Sequence, residues 1–394
     1  MAALFRTASS AIKCLSGAWR PETNNAASPS TVPVGSSSEE TRFEHILVLS
    51  VPFPDAHRAL LEKHAKSITY IPNPSEAGSV LDEEYRKADV VYGFPTGLER
   101  WEQAPHLRFV QLVSAGVDGI VRQRMWHEKE AARVVIATAA GVHMTPISQH
   151  FIMTTLAMFH RLQEQILLSQ VEKRWGKGGF GGLFIQELRG KTVGVLGYGH
   201  IGRECARLSA AFGAKVLAAT SDGHKKPQSG YVEDGMGDLD GSIPEAWYST
   251  RDQASFREFL SKSDVLLLAL PSTGATHHIL SSTTLAHLPS NAIVVNIGRG
   301  DAIDTYVELR GMRNALLKAL DEKKIAGAAL DVAEEEPLPD GHPLFGRKDV
   351  LLTPHESGST VMYFERCIRI CAENLRRLRD GEEVWNQVDF KRGY

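Results

Sequence analysis

The chain has little cysteine: four residues in 394, with no CxxC pair. Cys14 lies near the N-terminus, Cys205 in a helical pattern, and Cys367 and Cys371 one helical turn apart. That usage argues against a disulfide framework and a zinc site, and it fits a reducing compartment. No apolar run reaches the about 18 residues needed to cross a bilayer. The longest, such as 265–270, are strand-sized. Neither sign of charge dominates, since 44 basic and 47 acidic side chains leave a net −3. This balance leaves no footprint for nucleic acid or an anionic membrane. No repeat of fixed period stands out. With 43% apolar and 23% charged residues the chain reads as globular. Its length suits roughly two or three domains at about 150 residues each.

Residues 1–21 contain no acidic residue. Arg6, Lys13 and Arg20 recur every seven positions, while Leu4, Ala8, Ile12, Leu15 and Trp19 recur every three or four. On a helix the two sets fall on different faces. This is how a mitochondrial presequence reads. The other reading is a tail of a cytoplasmic protein whose pattern is chance. Residues 24–38 are rich in Ser, Pro and Ala and read as linker. Residues 1–42 are therefore expected to be a disordered or targeting segment, with folded chain from Phe43.

From there short apolar runs alternate with helical patterns. Strands are predicted at 46–49, 107–113, 134–137, 192–196, 215–219, 265–270, 292–297, 326–330 and 350–352. Helical patterns cover 147–171, 201–212, 306–322 and 361–379. Such alternation argues parallel sheets with helices on both faces. Residues 222–250 read as a long polar insertion between strands. The glycine cluster 176–182 follows no strand and reads as a flexible connection.

One glycine pattern follows a strand and opens an amphipathic helix: Gly197-Tyr-Gly199-His-Ile-Gly202. Gly197 permits a tight turn, Gly199 lets backbone approach a pyrophosphate, and Gly202 lets helix and strand pack closely. The helix N-terminus then offers N–H groups to the phosphates. A dinucleotide site is expected here.

Three polar groups lie past the ends of later strands, where open α/β sheets bind ligands. They are Arg299, Glu336 and His355; Asp331 ends another strand. A guanidinium clamps a carboxylate and polarises a carbonyl. An imidazole exchanges protons near neutrality, and a carboxylate beside it raises its pKa. Together they suit reduction of a 2-oxo acid. Each alone reads as an ordinary surface group; their shared position beside a dinucleotide site makes the catalytic reading the stronger. Two other patterns are set aside. Arg299-Gly-Asp301 spells an adhesion tripeptide by chance. His277 and His278 are adjacent, so on a strand they would point apart, and no Cys or acidic partner is spaced for a metal.

The cofactor reading rests on an absence. NAD-specific folds carry Asp or Glu about 20 residues past the glycine motif. Here Thr220 and Ser221 stand at the strand end, with Lys225 and Lys226 nearby. This favours NADP(H), with NAD(H) as the alternative if Asp222 turns inward.

The ordered set of Ser114-Ala-Gly-Val-Asp118, the glycine motif, Pro271 with Thr276, Asn296-Ile-Gly-Arg-Gly300, the stretch from Ala329 to Pro339, and Thr353-Pro-His355 resembles the D-isomer-specific 2-hydroxyacid dehydrogenases. The resemblance covers residues 43–386. It implies two Rossmann-like or flavodoxin-like domains with the active site in the cleft between them. The substrate-binding domain would comprise 43–142 and 356–394, and the dinucleotide domain 143–355. It implies catalytic Arg299, Glu336 and His355, and a substrate carboxylate held by N–H groups of Ala115, Gly116 and Val117. Gly197, Gly199, His200, Ile201, Gly202, Pro271, Thr276, Ile297, Gly298 and Asp331 would contact the cofactor. It also implies a homodimer whose ligand is a small 2-oxo or 2-hydroxy acid. The chain departs from the family at Gln149, at Glu356 and in the 222–250 insertion, and residues 306–313 lengthen a helix. The leading expectation is a reductase of glyoxylate or hydroxypyruvate type. Alternatives are a dinucleotide-sensing corepressor-like scaffold and a phosphoglycerate dehydrogenase. Formate dehydrogenases pair their histidine with glutamine, and Glu336 argues against them.

Overall fold

The computed structural model describes residues 43–121, 123–128, 131, 133–175, 184–305 and 314–390. The N-terminal segment 1–42, the glycine cluster 176–182 and residues 306–313 lie outside them. Twelve strands occur among the described residues. β1 (Phe43–Leu49), β2 (Ala65–Ile71), β3 (Val90–Gly93), β4 (Phe109–Gln111) and β5 (Val135–Ala137) form one sheet in the order 2-1-3-4-5. β6 (Thr192–Leu196), β7 (Lys215–Thr220), β8 (Ala246–Ser249), β9 (Val265–Leu268), β10 (Ile293–Asn296), β11 (Gly327–Leu330) and β12 (Val350–Leu352) form the second, in the order 12-11-10-9-6-7-8. Every pairing is parallel.

The apolar runs follow from burial on both faces. In β1, Leu47 and Leu49 pack beneath Tyr85, Trp101 and Trp126. The alternate residues Ile46 and Val48 face Cys367, Ile368, Cys371 and Leu375. Those four lie on the helix Tyr363–Arg379, so the end of the chain returns to the first sheet. The second sheet is covered in the same way. Val193, Val195, Val265 and Leu267 pack against Phe151 and Cys205, while Leu196, Leu266 and Leu268 pack against Phe256, Phe259 and Leu316.

Three strands escaped the sequence reading. β2 and β8 are sheet edges with mixed exposure, and β3 has only four residues before Gly93. Gly93 lies so close to β1 that a Cβ would meet Leu49 O at 2.1 Å. The long helix expected over 147–171 is also corrected. Met144–Phe159 ends at His160, Arg161 turns left-handed at φ 53°, and Leu162–Ile166 begins a second segment. The helix expected from 306 starts at Ala315 among the described residues, capped by Asn314.

The 222–250 insertion is packed rather than loose, and its last residues form β8. Arg203 and Asp238, both buried, organise it. Arg203 donates to the carbonyls of Tyr198 (3.2 Å), Asp238 (2.5 Å) and Lys226 (2.6 Å). The Asp238 carboxylate accepts from the Tyr198 hydroxyl (2.7 Å) and from the N–H groups of Ser242 (2.9 Å) and Ile243 (3.2 Å). The segment also reaches the first sheet. Tyr231 N donates to Asn386 Oδ1 at 3.2 Å, and Glu233 pairs with Arg366 at 3.4 Å. Asp238→Ala leaves three donors without their acceptor, and unmade buried bonds cost about 1–3 kcal/mol each. Urea unfolding should show a loss of at least that size; a midpoint unchanged from wild type would refute the bracing role.

Candidate active site

The second sheet reverses its order between β6 and β9, the crevice where such sheets bind ligands. The glycine motif fills this position. Gly197 has φ +97°, and a Cβ there would lie 2.6 Å from Ala269 O. Gly202 sits against the turn it follows, where a Cβ would meet Gly197 O at 2.2 Å. At Gly199 a Cβ would meet nothing within 4 Å, so backbone there is open to a ligand. Two glycines are needed for packing and the third leaves space. Gly199 also precedes the helix His200–Ala211. This cradle fits a pyrophosphate.

The neighbouring candidates divide. Gly298 packs against Leu270, with Ile297 buried beside it. Thr276 Oγ1 donates to Pro271 O at 2.7 Å and closes the loop after β9. His200 is turned towards the insertion: its Nε2 lies 3.5 Å from where a Cβ on Gly230 would be. Burial lowers its pKa. Ile201, half-buried, packs against the core with Val195. At the end of β7, Thr220 Oγ1 donates to Asp222 Oδ1 at 3.2 Å and accepts from Gly223 N at 3.0 Å. Asp222 pairs with Lys226, and chiefly that bond holds its pKa down at about 2. Lys225 is exposed and lies beside Gly241, and Ser221 is exposed with its carbonyl taken by Ser249 Oγ (2.9 Å).

Asp331 ends β11 and is buried. Its carboxylate accepts from Thr353 Oγ1 (2.6 Å), Glu356 N (3.0 Å) and Ser357 N (3.1 Å). Burial alone would raise its pKa; these bonds outweigh it and lower it. Asp331 O also accepts from His355 N at 2.8 Å. The chain turns left-handed at His355, φ 57°, and its ring meets Glu336: Nδ1 to Oε2 is 2.9 Å. The bond to Glu336 raises the His355 pKa against the opposing effect of burial. For Glu336 burial pushes upward, and the imidazole's bond and charge bring it below its usual value. Arg299 is half-buried, donates from Nη1 to Gly298 O at 2.9 Å, and acts electrostatically on both members of the pair. The structure thus joins His355 to Glu336 and sets Arg299 within their field. Ala115, Gly116 and Val117 follow β4, in a turn closed by Ser114 Oγ to Gly116 O at 2.6 Å.

Two residues beside this site escaped the sequence reading. His150, from the long helix, meets Thr353 Oγ1 at 3.3 Å and so joins the Asp331 cluster. Its signal was only a polar residue in an apolar helix. Glu334 bonds His278 Nε2 at 2.7 Å, which overturns the expectation that no acidic residue serves that pair. His277 and His278 do not point apart either. They lie in a turn with ring centroids 3.9 Å apart.

A glycine cradle at the end of β6 and a histidine–carboxylate pair past the ends of β11 and β12 of the same sheet fit a nicotinamide-dependent oxidoreductase of the α/β class. Comparison with known proteins gives the family. Residues 152–357 match the model of the D-isomer specific 2-hydroxyacid dehydrogenase NAD-binding domain. A glyoxylate reductase of Aeropyrum pernix is 30% identical over 360 residues, covering 87% of this chain and 95% of that one. The crystal structure of a D-isomer specific 2-hydroxyacid dehydrogenase family protein from Aeromonas salmonicida superposes with a TM-score of 0.67 at 26% identity, over 88% of this chain and 99% of that one. A family member from Xanthobacter autotrophicus Py2, solved with NADPH and MES, gives 0.67 at 24% identity, over 90% and 100%. The chain belongs to the D-isomer-specific 2-hydroxyacid dehydrogenase family. It is an NAD(P)-dependent oxidoreductase acting on a CH–OH group, and its two-domain α/β fold is the family's.

The raised His355 pKa has a signed consequence. The pair stabilises the fold most where Glu336 is ionised and His355 protonated. That contribution fades as pH falls through the carboxylate's value or rises through the histidine's folded value. An NMR titration of the His355 ring should find it above the usual about 6.5. In Glu336→Gln it should fall towards or below that value; a value unmoved by the substitution would assign the shift to another group.

Proposed function

We propose that the protein reduces a small 2-oxo acid of glyoxylate or hydroxypyruvate type to the D-2-hydroxy acid. The observation that carries this reading is the 2.9 Å bond between His355 Nδ1 and Glu336, within the electrostatic reach of Arg299 on the loop after β10. When bound, the nicotinamide cofactor supplies the hydride that reaches the carbonyl carbon. Gly197, Gly199 and Gly202 form its phosphate cradle. His355 Nδ1 is committed to Glu336, so Nε2 faces the substrate and delivers the proton to the carbonyl oxygen. Glu336 keeps the ring protonated until that transfer. Arg299 holds the carboxylate and polarises the oxo group, and the turn at Ala115–Val117 offers N–H groups to the same carboxylate. The reverse reaction uses His355 as base. On this reading residues 43–142 and 356–394 form the substrate half and 143–355 the cofactor half. The small, doubly oxygenated substrate is supported by the curated glyoxylate reductase from Aeropyrum pernix.

A panel of 2-oxo acids, read by nicotinamide absorbance, tests the substrate class. Glyoxylate or hydroxypyruvate should be turned over best. His355→Gln should lose about 10²–10⁴-fold in turnover while cofactor binding stays measurable. Arg299→Lys should lose kcat/KM by more than about threefold, because an ammonium cannot replace a planar fork. Near-normal rates in both variants would sink the assignment.

We also propose that NADPH is preferred over NADH. The Asp222 carboxylate two residues past the end of β7 is already paired with Lys226. A 2′-phosphate there meets the Thr220 and Ser221 hydroxyls and the exposed Lys225, with little net repulsion. The NADPH complex of the Xanthobacter protein is consistent with this. kcat/KM at one salt concentration should favour NADPH. Asp222→Ala should widen the ratio by releasing Lys226. Equal or better use of NADH by the wild type would overturn the preference.

A further inference from the structure

We infer that His277, His278 and Glu334 form a binding site for a borderline divalent metal ion such as Zn²⁺, separate from the reacting groups. One potential ligand atom from each lies within 4.8 Å of the other two. The convergence is built by the backbone. His278 sits at φ 49°, in the left-handed region that non-glycine residues rarely occupy. That turn brings its ring over His277, with centroids 3.9 Å apart and planes tilted by 32°. Glu334 arrives from the loop after β11 and is oriented before any ion binds. Its Oε1 lies 2.7 Å from His278 Nε2, and its Oε2 accepts from Thr305 N at 3.3 Å.

The donor set selects the ion. Two imidazoles and one carboxylate, with a fourth position left to water, suit Zn²⁺ and its neighbours better than the all-oxygen ions Mg²⁺ and Ca²⁺. Local charge supports a cation. His278 N donates to Asp301 O at 2.8 Å, which places Asp301 beside the cluster. Asp301 Oδ2 accepts from Ser272 at 2.5 Å, but Oδ1 is buried with no hydrogen-bond partner among the described residues. A buried, half-satisfied carboxylate is costly, and a nearby cation offsets that cost. His277 is exposed and the other two are half-buried, so an ion can enter from solvent.

The site would join three loops that also serve the cofactor side. His277 and His278 follow Thr276, Asp301 follows Arg299 by two residues, and Glu334 precedes Glu336 by two. The loops are already in close contact, since a Cβ on Gly300 would lie 1.9 Å from the Ala333 backbone. A bound ion would therefore clip these three loops together without taking His355 or Arg299 as a ligand.

The test uses the full chain, tag-free and stripped of metal with EDTA. Calorimetric titration with Zn²⁺ should show one saturable site per chain and a higher thermal midpoint in its presence. His277→Ala, a change at an exposed position, should weaken binding at least about tenfold, the lower end of what loss of even an outer partner costs. Glu334→Gln should weaken it similarly. Co²⁺ should develop visible d–d absorption with the wild type and lose it with His277→Ala. A wild-type chain that takes up no Zn²⁺, or a His277→Ala chain that binds it as tightly, overturns the site.

Discussion

The arrangement of the site depends on where one buried carboxylate can satisfy itself. Asp331 leaves the end of β11 with a charge and two oxygens in a place closed to water. Its partners, Thr353 Oγ1 and the N–H groups of Glu356 and Ser357, all belong to the loop after β12. A buried charge without such bonds would cost several kcal/mol. The loop must therefore close over Asp331, and His355 lies inside that closure. Glu336 is in the turn that Asp331 begins, so one anchor sets both ends of the His355–Glu336 pair. His150 adds a further contact to Thr353 from the long helix, tying that loop to the helix Met144–Phe159.

The second constraint is the polar brace of the insertion. An added segment of more than twenty residues must account for its own backbone groups. This one does so on Arg203 and Glu204, buried near the start of the helix His200–Ala211, and on its own buried Asp238. Glu204 accepts from Gly237 N at 2.7 Å and also binds Arg207. From that base the segment reaches Asn386, which itself donates to Thr138 O (3.2 Å) and Ala140 O (2.9 Å) near the end of β5. The helix that presents Gly199 is thus tied to the first sheet through hydrogen bonds, not only through the chain connections. His200 is enclosed by the same contact, where its neutral form is favoured.

Legibility followed burial. Strands with both faces covered, such as β6 and β9, stood out as apolar runs, and β6 and β12 matched their expected limits. The edge strands β2 and β8 did not, because mixed exposure breaks their apolar runs; β2 carries exposed Lys66 and Ser67. The break at Arg161 was hidden because its neighbours keep an apolar pattern through both helical segments. At the site, the type and order of Arg299, Glu336 and His355 were readable, and so was the sense of the His355 shift. Glu334 was not. It stands among three consecutive glutamates, and only the fold decides which one turns towards His278 and which towards His355.

The two histidines that matter most share a backbone feature. His355 and His278 both have φ near +50°. For a non-glycine residue that conformation costs on the order of 1–3 kcal/mol and persists only when neighbouring contacts over-determine it. At His355 those contacts are the N–H bond to Asp331 O and the Glu336 carboxylate; at His278 they are the N–H bond to Asp301 O and the Glu334 carboxylate. The pattern is the same: an aspartate backbone oxygen fixes the turn and a glutamate fixes the ring. Because Glu334 and Glu336 leave the same short turn, orienting one restricts the other. The adjacent N–H of Ala333 bonds Glu336 Oε1 at 3.1 Å, and Glu334 N points to Thr305 Oγ1 at 3.4 Å. The turn after β11 therefore distributes two carboxylates to two imidazoles, Glu334 to His278 and Glu336 to His355, and on the proposed mechanism it is the second pair that exchanges a proton with substrate.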